Sequence, residues 1–223
     1  MNGARLLRQI DDYIESLFAV PDAALRANRA RADAAGLPRI NVSPTEGKLL
    51  SLVAQLVRAR RVLEIGTLGG YSTTWLARAL PPGGVVITLE VNAVHANVAR
   101  ANLNGVAPGV DIDIRVGDAC QLLDAMIAAH EEPFDVIFID ADKPRYVRYL
   151  ERAIGVSRAG TVILADNVIR NGAVLAPAPD DANGIAARAY NQAIAEHPRL
   201  ESIVLPIIRE KVDGLAISLV KGE

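Results

Sequence analysis

The chain has 223 residues, 51% apolar and 22% charged, which is enough for one domain with a full core. A net charge of −2 suggests no polyanion partner, and the lack of basic residues clustered among aromatics argues against a nucleic-acid surface. A single cysteine, Cys120, excludes an internal disulfide and offers no metal-binding spacing; no apolar run reaches the roughly 18 residues of a membrane span.

The N-terminal stretch is amphipathic and charged rather than a signal peptide, and the chain reads as cytoplasmic with no membrane partner. Residues 5–18 place Leu6, Leu7, Ile10, Ile14, Leu17 and Phe18 at helical spacing. Asp22 is placed to cap a second helix running to about residue 35, ended by Gly36 and Pro38. Its apolar face is thin, which predicts a place on the rim or against a partner subunit. Ser43, Pro44 and Glu46 spell a complete helix start, and the helix over 44–58 should present Leu49, Leu50, Val53, Leu56 and Val57 on one side.

From residue 62 the pattern alternates. Strands are predicted at 62–65, 85–89, 110–116, 134–139 and 161–165, with helices at 72–79, 93–102, 119–129 and 146–154. This is an α/β pattern: a parallel sheet with helices on both faces. A helix over 181–196 follows. Strands over 201–206 and 215–220, with a turn near Asp213 and Gly214, should pair antiparallel at one sheet edge. The loop 171–180 holds two prolines and few anchors, so it is expected to move. His95, His130 and His197 read as surface residues. The helical segment 1–60 and the alternating core 61–223 are expected to form one domain. In an open sheet the ligand lies beyond the carboxyl ends of the strands, where strand order reverses.

The first strand ends in Gly66, Thr67, Leu68, Gly69 and Gly70, a G-x-x-G-G spacing rather than the dinucleotide G-x-G-x-x-G. Such a turn is either an ordinary strand–turn–helix or a close-fitting seat for a nucleoside without a pyrophosphate. Glu64 sits inside the apolar run and needs hydrogen bonds to be there. Glu90 ends the second strand, 24 residues after Gly66, where an acid either accepts ribose hydroxyls or simply leaves the strand. Asp118 either meets an adenine amino group, with the Ala119 amide at a ring nitrogen, or caps a helix. The fourth strand runs into Asp140, Ala141, Asp142 and Lys143, and the fifth into Asp166 and Asn167. Neighbouring strands lie about 4.8 Å apart, and like charges that close need a cation or a proton between them. Asp140, Asp166 and the Asn167 carbonyl make an all-oxygen set suited to a hard ion such as Mg²⁺; the absence of nearby His or Cys disfavours zinc. The alternative is a turn at Asp166 and Asn167 and a helix cap at Asp140. Lys143 is then either a surface charge or a base beside the ion.

Together these residues resemble the cation-dependent O-methyltransferases that act on catechols and on caffeoyl-coenzyme A. The motifs are E-I-G-x-x-x-G-Y-S at 64–72, the acid Glu90, I-D-A-D-K at 139–143, D-N at 166–167 and N-G-x-V at 171–174, and the resemblance runs from about residue 40 to 221. It implies S-adenosylmethionine as cofactor and a Rossmann-like seven-stranded sheet, mostly parallel with an antiparallel last strand, behind extra N-terminal helices. It also implies a catechol-like small molecule as acceptor and a homodimer. By resemblance Asp140, Asp166 and Asn167 hold Mg²⁺ or another divalent cation. Val42, Glu64, Gly66, Thr67, Ser72, Glu90, Ala119, Asp140 and Asp142 surround S-adenosylmethionine. Lys143 is the catalytic residue and, with Asn167 and Asn171, contacts the substrate. The first sixty residues resemble nothing specific. Aromatics are 4% of the chain, so no rings that would sandwich a catechol are identified. Arg209, Glu210 and Lys211, near the expected acceptor, imply no caffeoyl specificity. Competing readings are a metal-independent methyltransferase, a nicotinamide dehydrogenase on a similar sheet, and a cofactor-binding module without catalysis. The glycine spacing and the lack of a hydride-site set count against the dehydrogenase.

Overall fold

The computed structural model describes residues 3–208 and 211–222. In chain order come α1 (Gly3–Phe18), α2 (Ala23–Ala34), α3 (Pro44–Leu56), β1 (Arg61–Ile65), α4 (Tyr71–Ala79), β2 (Val85–Glu90), α5 (Ala93–Leu103) and β3 (Asp111–Val116). There follow α6 (Ala119–Ala128), β4 (Phe134–Ile139), α7 (Tyr146–Gly155), β5 (Ser157–Ala165), α8 (Ala182–Glu196), β6 (Leu200–Ile208) and β7 (Val212–Val220), with short 3-10 turns at Lys143–Arg145 and Arg170–Leu175. The strands make a seven-stranded, mostly parallel sheet surrounded by helices. The chain packs as two compact units, residues 12–122 and residues 1–11 with 123–223. Among the described residues no helix is long and apolar enough to cross a membrane.

In the unit of residues 12–122 the strands run parallel in the order β3-β2-β1, with Ile65 level with Leu89 and Glu90 level with Val116. Val62, Leu63 and Ile65 are wholly buried, as a continuous apolar run requires of a strand covered on both faces. In β3, Asp and Ile alternate and the strand is half-exposed, which suits an edge. Asp22 caps α2 by accepting from the Leu25 N–H at 2.9 Å. The expectation that α2 lies on the rim is corrected: it packs against α4 and α5, burying Leu25, Asn28 and Ala32. Its contacts are partly polar, so apolar periodicity understated them. The capping box of α3 forms as expected, with Ser43 and Glu46 exchanging bonds of 3.1 and 2.7 Å. The buried side of α3 differs: Gly47, Leu50, Ser51 and Ala54 face inward, and Leu56 is exposed. Close approach to α4 is the reason, since a Cβ at Gly47 would stand 2.4 Å from the Trp75 ring.

In the other unit the order is β4-β5-β7-β6. β4 and β5 are parallel, and β7 is antiparallel to both β5 and β6. The last two strands do pair antiparallel, but β7 enters between β5 and β6, and β6 takes the edge. Both strands are longer than expected. Asp213 and Gly214 lie inside β7, level with Ile207 and Pro206, so the turn is not theirs. Arg209 and Glu210 lie outside the described residues. β5 begins four residues before the apolar run, because Thr161 accepts from the Arg158 N–H at 2.9 Å and donates to the Phe134 carbonyl at 2.6 Å across a bulge. The loop expected to move opens with the 3-10 turn, in which Asn171 and Gly172 have φ of 53° and 83°.

Candidate active site

The candidate residues form two groups, one in each unit. In residues 12–122 the group is built on the turn after β1. The Gly66 N–H still bonds the Leu89 carbonyl at 2.9 Å, and the chain then bends with φ of 102° at Gly66, 47° at Leu68 and 77° at Gly70. Glycine takes such values without strain. Leu68 is held there by Glu90, whose Oε2 accepts its N–H at 2.8 Å. Oε1 of Glu90 accepts from the Asn92 N–H at 2.8 Å, and His95 Nδ1 stands 3.7 Å away, so His95 is more than a surface residue. A carboxylate has about four lone-pair sites, so Glu90 keeps capacity for hydroxyl donors.

Glu64 is fully buried. Ser72 donates to its Oε1 at 2.5 Å, and Thr73 and Thr88 donate to Oε2 at 2.5 and 2.6 Å. Because the Thr88 proton goes to Glu64, Thr67, 2.6 Å away, donates to Thr88. Charge-assisted bonds of this kind offset the cost of a carboxylate inside the protein. Glu64 thereby ties the glycine turn to the first turn of α4, whose open N–H groups and dipole favour a polar ligand there. The Gly69 carbonyl accepts from Asn28 on α2 at 3.1 Å and from Asn102 on α5 at 2.8 Å, clamping the turn from the far side. Val42 is brought to the start of α4 by Arg29. The Arg29 Nη2 donates to the Val42 carbonyl at 3.3 Å while its guanidinium lies 4.5 Å over the Tyr71 ring. Burial pushes the Tyr71 hydroxyl above its usual pKa, so the ring stays a neutral phenol. Asp118 caps α6 through the Cys120 and Gln121 N–H groups at 2.9 and 3.2 Å, and Ala119 begins that helix half-buried.

The second group sits at the carboxyl ends of β4 and β5. Ile139 is level with Ala165, and the Asp166 N–H bonds the Ile139 carbonyl at 3.0 Å. Asp140 and Asp166 each follow one residue on, so neighbouring strands deliver both carboxylates at one level. Asp166 Oδ1 accepts the Asn167 N–H at 2.7 Å, and Asn167 takes φ of 58°, left-handed geometry that asparagine tolerates. Lys143 is buried at the head of the 3-10 turn, its Nζ donating to Asp140 Oδ1 at 3.1 Å and to the Tyr146 hydroxyl at 2.5 Å. Tyr146 reaches the Asp166 and Ile139 carbonyls at 3.0 and 3.2 Å. Burial first, then the charges of Asp140 and Asp166, push the Tyr146 hydroxyl well above its usual pKa, so it stays protonated. Asp142 is engaged by its own neighbours, Tyr149 at 2.5 Å and Arg145 at 2.8 Å. Asn171 is exposed on the 3-10 turn and accepts from the Val212 N–H at 3.4 Å. Asp213 holds that loop, accepting from the Ile169 and Arg170 N–H groups at 3.2 and 3.0 Å.

Two carboxylates and an amide oxygen make a donor set that fits a hard divalent cation. Among the described residues no three His, Cys, Asp or Glu side chains cluster as a metal site. Sequence reasoning missed Thr73, Thr88, Asn28, Asn102, Tyr146 and Asp213. For Tyr146 a signal existed, the three-residue spacing Asp140, Lys143, Tyr146 through a helical turn; the others act across elements distant in sequence.

A family model described as O-methyltransferase matches residues 22–220. The catechol O-methyltransferase of Mycobacterium tuberculosis is 46% identical over 213 residues, covering 95% of each chain. An O-methyltransferase from Bacillus cereus, solved in complex with SAH, superposes with a TM-score of 0.93 at 40% identity over 98% of this chain and 100% of that one. One from Streptomyces achromogenes, solved in complex with SAM, superposes at 0.91 with 37% identity over 100% of both chains. The turn after β1, the acids at the strand ends and these matches agree: the chain belongs to the O-methyltransferase family and is a S-adenosylmethionine-dependent O-methyltransferase.

Proposed function

We propose that the chain transfers the methyl group of S-adenosylmethionine to one hydroxyl of a vicinal dihydroxy aromatic small molecule, with Mg²⁺ or another divalent cation bound by Asp140, Asp166 and Asn167. The observation that carries this reading is the pair of acids one step beyond the level Ile139 and Ala165, with buried Lys143 3.1 Å from one of them. The name of the Mycobacterium tuberculosis relative supports the catechol class.

When bound, the donor supplies an electrophilic methyl group and the cation makes an acceptor hydroxyl more acidic. Val42, Gly66, Thr67 and Ser72 seat the donor, and Glu64 acts through Ser72. Glu90 would accept from the ribose hydroxyls, Ala119 would meet the adenine, and Asp140 and Asp142 would complete the residues around the donor. Asn167 and Asn171 orient the acceptor. Lys143 takes the acceptor proton at Nζ: the O–H bond breaks there and an N–H bond forms. No bond to the protein is made, and the remaining gain comes from alignment. The reach of the family model over 22–220 supports one methyltransferase domain. The exposed stripe Leu6, Ile10, Tyr13 and Leu17 on α1 supports a homodimer.

Initial rates with S-adenosylmethionine and Mg²⁺ on catechol, phenol and 2-methoxyphenol test the acceptor class. Catechol should turn over at least tenfold faster than the two single hydroxyls. Equal rates on all three would overturn the vicinal requirement.

A further inference from the structure

Lysine carries its nitrogen on a flexible four-carbon stem, so a proton-accepting lysine needs its head held in one direction. At Lys143 one donor position is spent on Asp140 Oδ1 at 3.1 Å and a second on the Tyr146 hydroxyl at 2.5 Å. Lys143 donates to the Tyr146 hydroxyl, and that hydroxyl in turn gives its hydrogen to the Asp166 or Ile139 carbonyl, since carbonyls accept and cannot donate. That polarity runs one way from Lys143 through Tyr146 to the two strand ends that deliver Asp140 and Asp166. The ring is locked as well: Tyr146 is fully buried, with Tyr190 edge-on at 5.4 Å and Tyr149 at 6.4 Å between centroids.

We propose that Tyr146 is the positioning residue for Lys143: its hydroxyl fixes one tetrahedral direction of Nζ, Asp140 fixes a second, and the remaining one is left to the acceptor. This rests on the reading of Lys143 as the proton acceptor. Tyr146 touches no reacting atom; it acts by where it holds the lysine and by tying that lysine to the acid-bearing strand ends. A misplacement of about 1 Å can cost on the order of a hundredfold in rate.

The test uses the whole protein with S-adenosylmethionine, Mg²⁺ and catechol, comparing wild type, Tyr146→Phe, Lys143→Ala and the double variant. Tyr146→Phe should lower kcat by roughly 10- to 100-fold. The KM for catechol and the Kd for S-adenosylmethionine should stay within about twofold, as expected when only the lysine head is released. In the Lys143→Ala background the same change should cost nothing further, because residues that act through one another are non-additive. Tyr146→4-aminophenylalanine keeps a donor for the carbonyls but accepts poorly from lysine. It should show the same kcat loss with unimpaired folding, which keeps the test valid if the phenylalanine variant is unstable. Wild-type kcat in either Tyr146 variant, or an equal loss with and without Lys143, overturns the positioning role. Wild-type turnover by Lys143→Ala instead overturns the base assignment, so the two failures are separable.

Discussion

Glu64 shows how one buried charge can organise a ligand-binding turn. Three hydroxyls converge on it, and without it Ser72, Thr73 and Thr88 lose their common acceptor. Leaving buried donors unsatisfied costs about 1–3 kcal/mol each, so Glu64→Ala should lower stability by about 3 kcal/mol or more in urea denaturation and weaken S-adenosylmethionine binding. A midpoint within error of wild type would show that the hydroxyls find other partners. The sequence made it legible that a carboxylate in an apolar strand demanded hydrogen bonds. It did not identify Thr88 as a donor, because that contact depends on the parallel register of β1 and β2. Asp118 illustrates the opposite limit: both of its possible roles were visible in the sequence, and the capping bonds appear only in three dimensions.

At the scale of the element, caps and strand ends were the most readable features. The capping box at Ser43 and the Asp22 cap follow from local residue order alone. The Leu25 N–H bond first, then Arg78, hold the Asp22 carboxyl below its ordinary 3.8 against an opposing effect of burial. A lowered pKa means that this carboxylate contributes stability above 3.8, and that the contribution is lost as pH falls through the lowered value. Asp22→Ala should therefore cost about 1 kcal/mol near neutral pH, a value typical of a lost cap. The gap to wild type should close in acid below that range, measured by chemical denaturation at several pH values. A gap independent of pH would assign the loss to packing rather than to the charged cap. Less readable were the buried side of α3, where a glycine and a serine replace the apolar stripe, and the place of β7. A strand that enters between two others leaves no mark in its own alternation; only the pairing of Ala165 with Ala216 and of Val204 with Ala216 reveals it.

For the whole molecule, membership of the O-methyltransferase family removes the dehydrogenase reading and leaves the role of the metal as the distinguishing claim. The alternation of strands and helices made the fold class legible, since each period follows from side-chain geometry. The acids at the ends of β4 and β5 were legible as a pair for the same reason: both strands run apolar until they leave the sheet. The central claim is that Asp140, Asp166 and Asn167 hold a divalent cation on which methyl transfer depends. Its most direct test is the rate of methyl transfer from S-adenosylmethionine to catechol in excess chelator and again after Mg²⁺ is restored. The account predicts that the activity disappears with chelator, returns with Mg²⁺, and is absent from Asp166→Ala in both conditions; full turnover in chelator would contradict it.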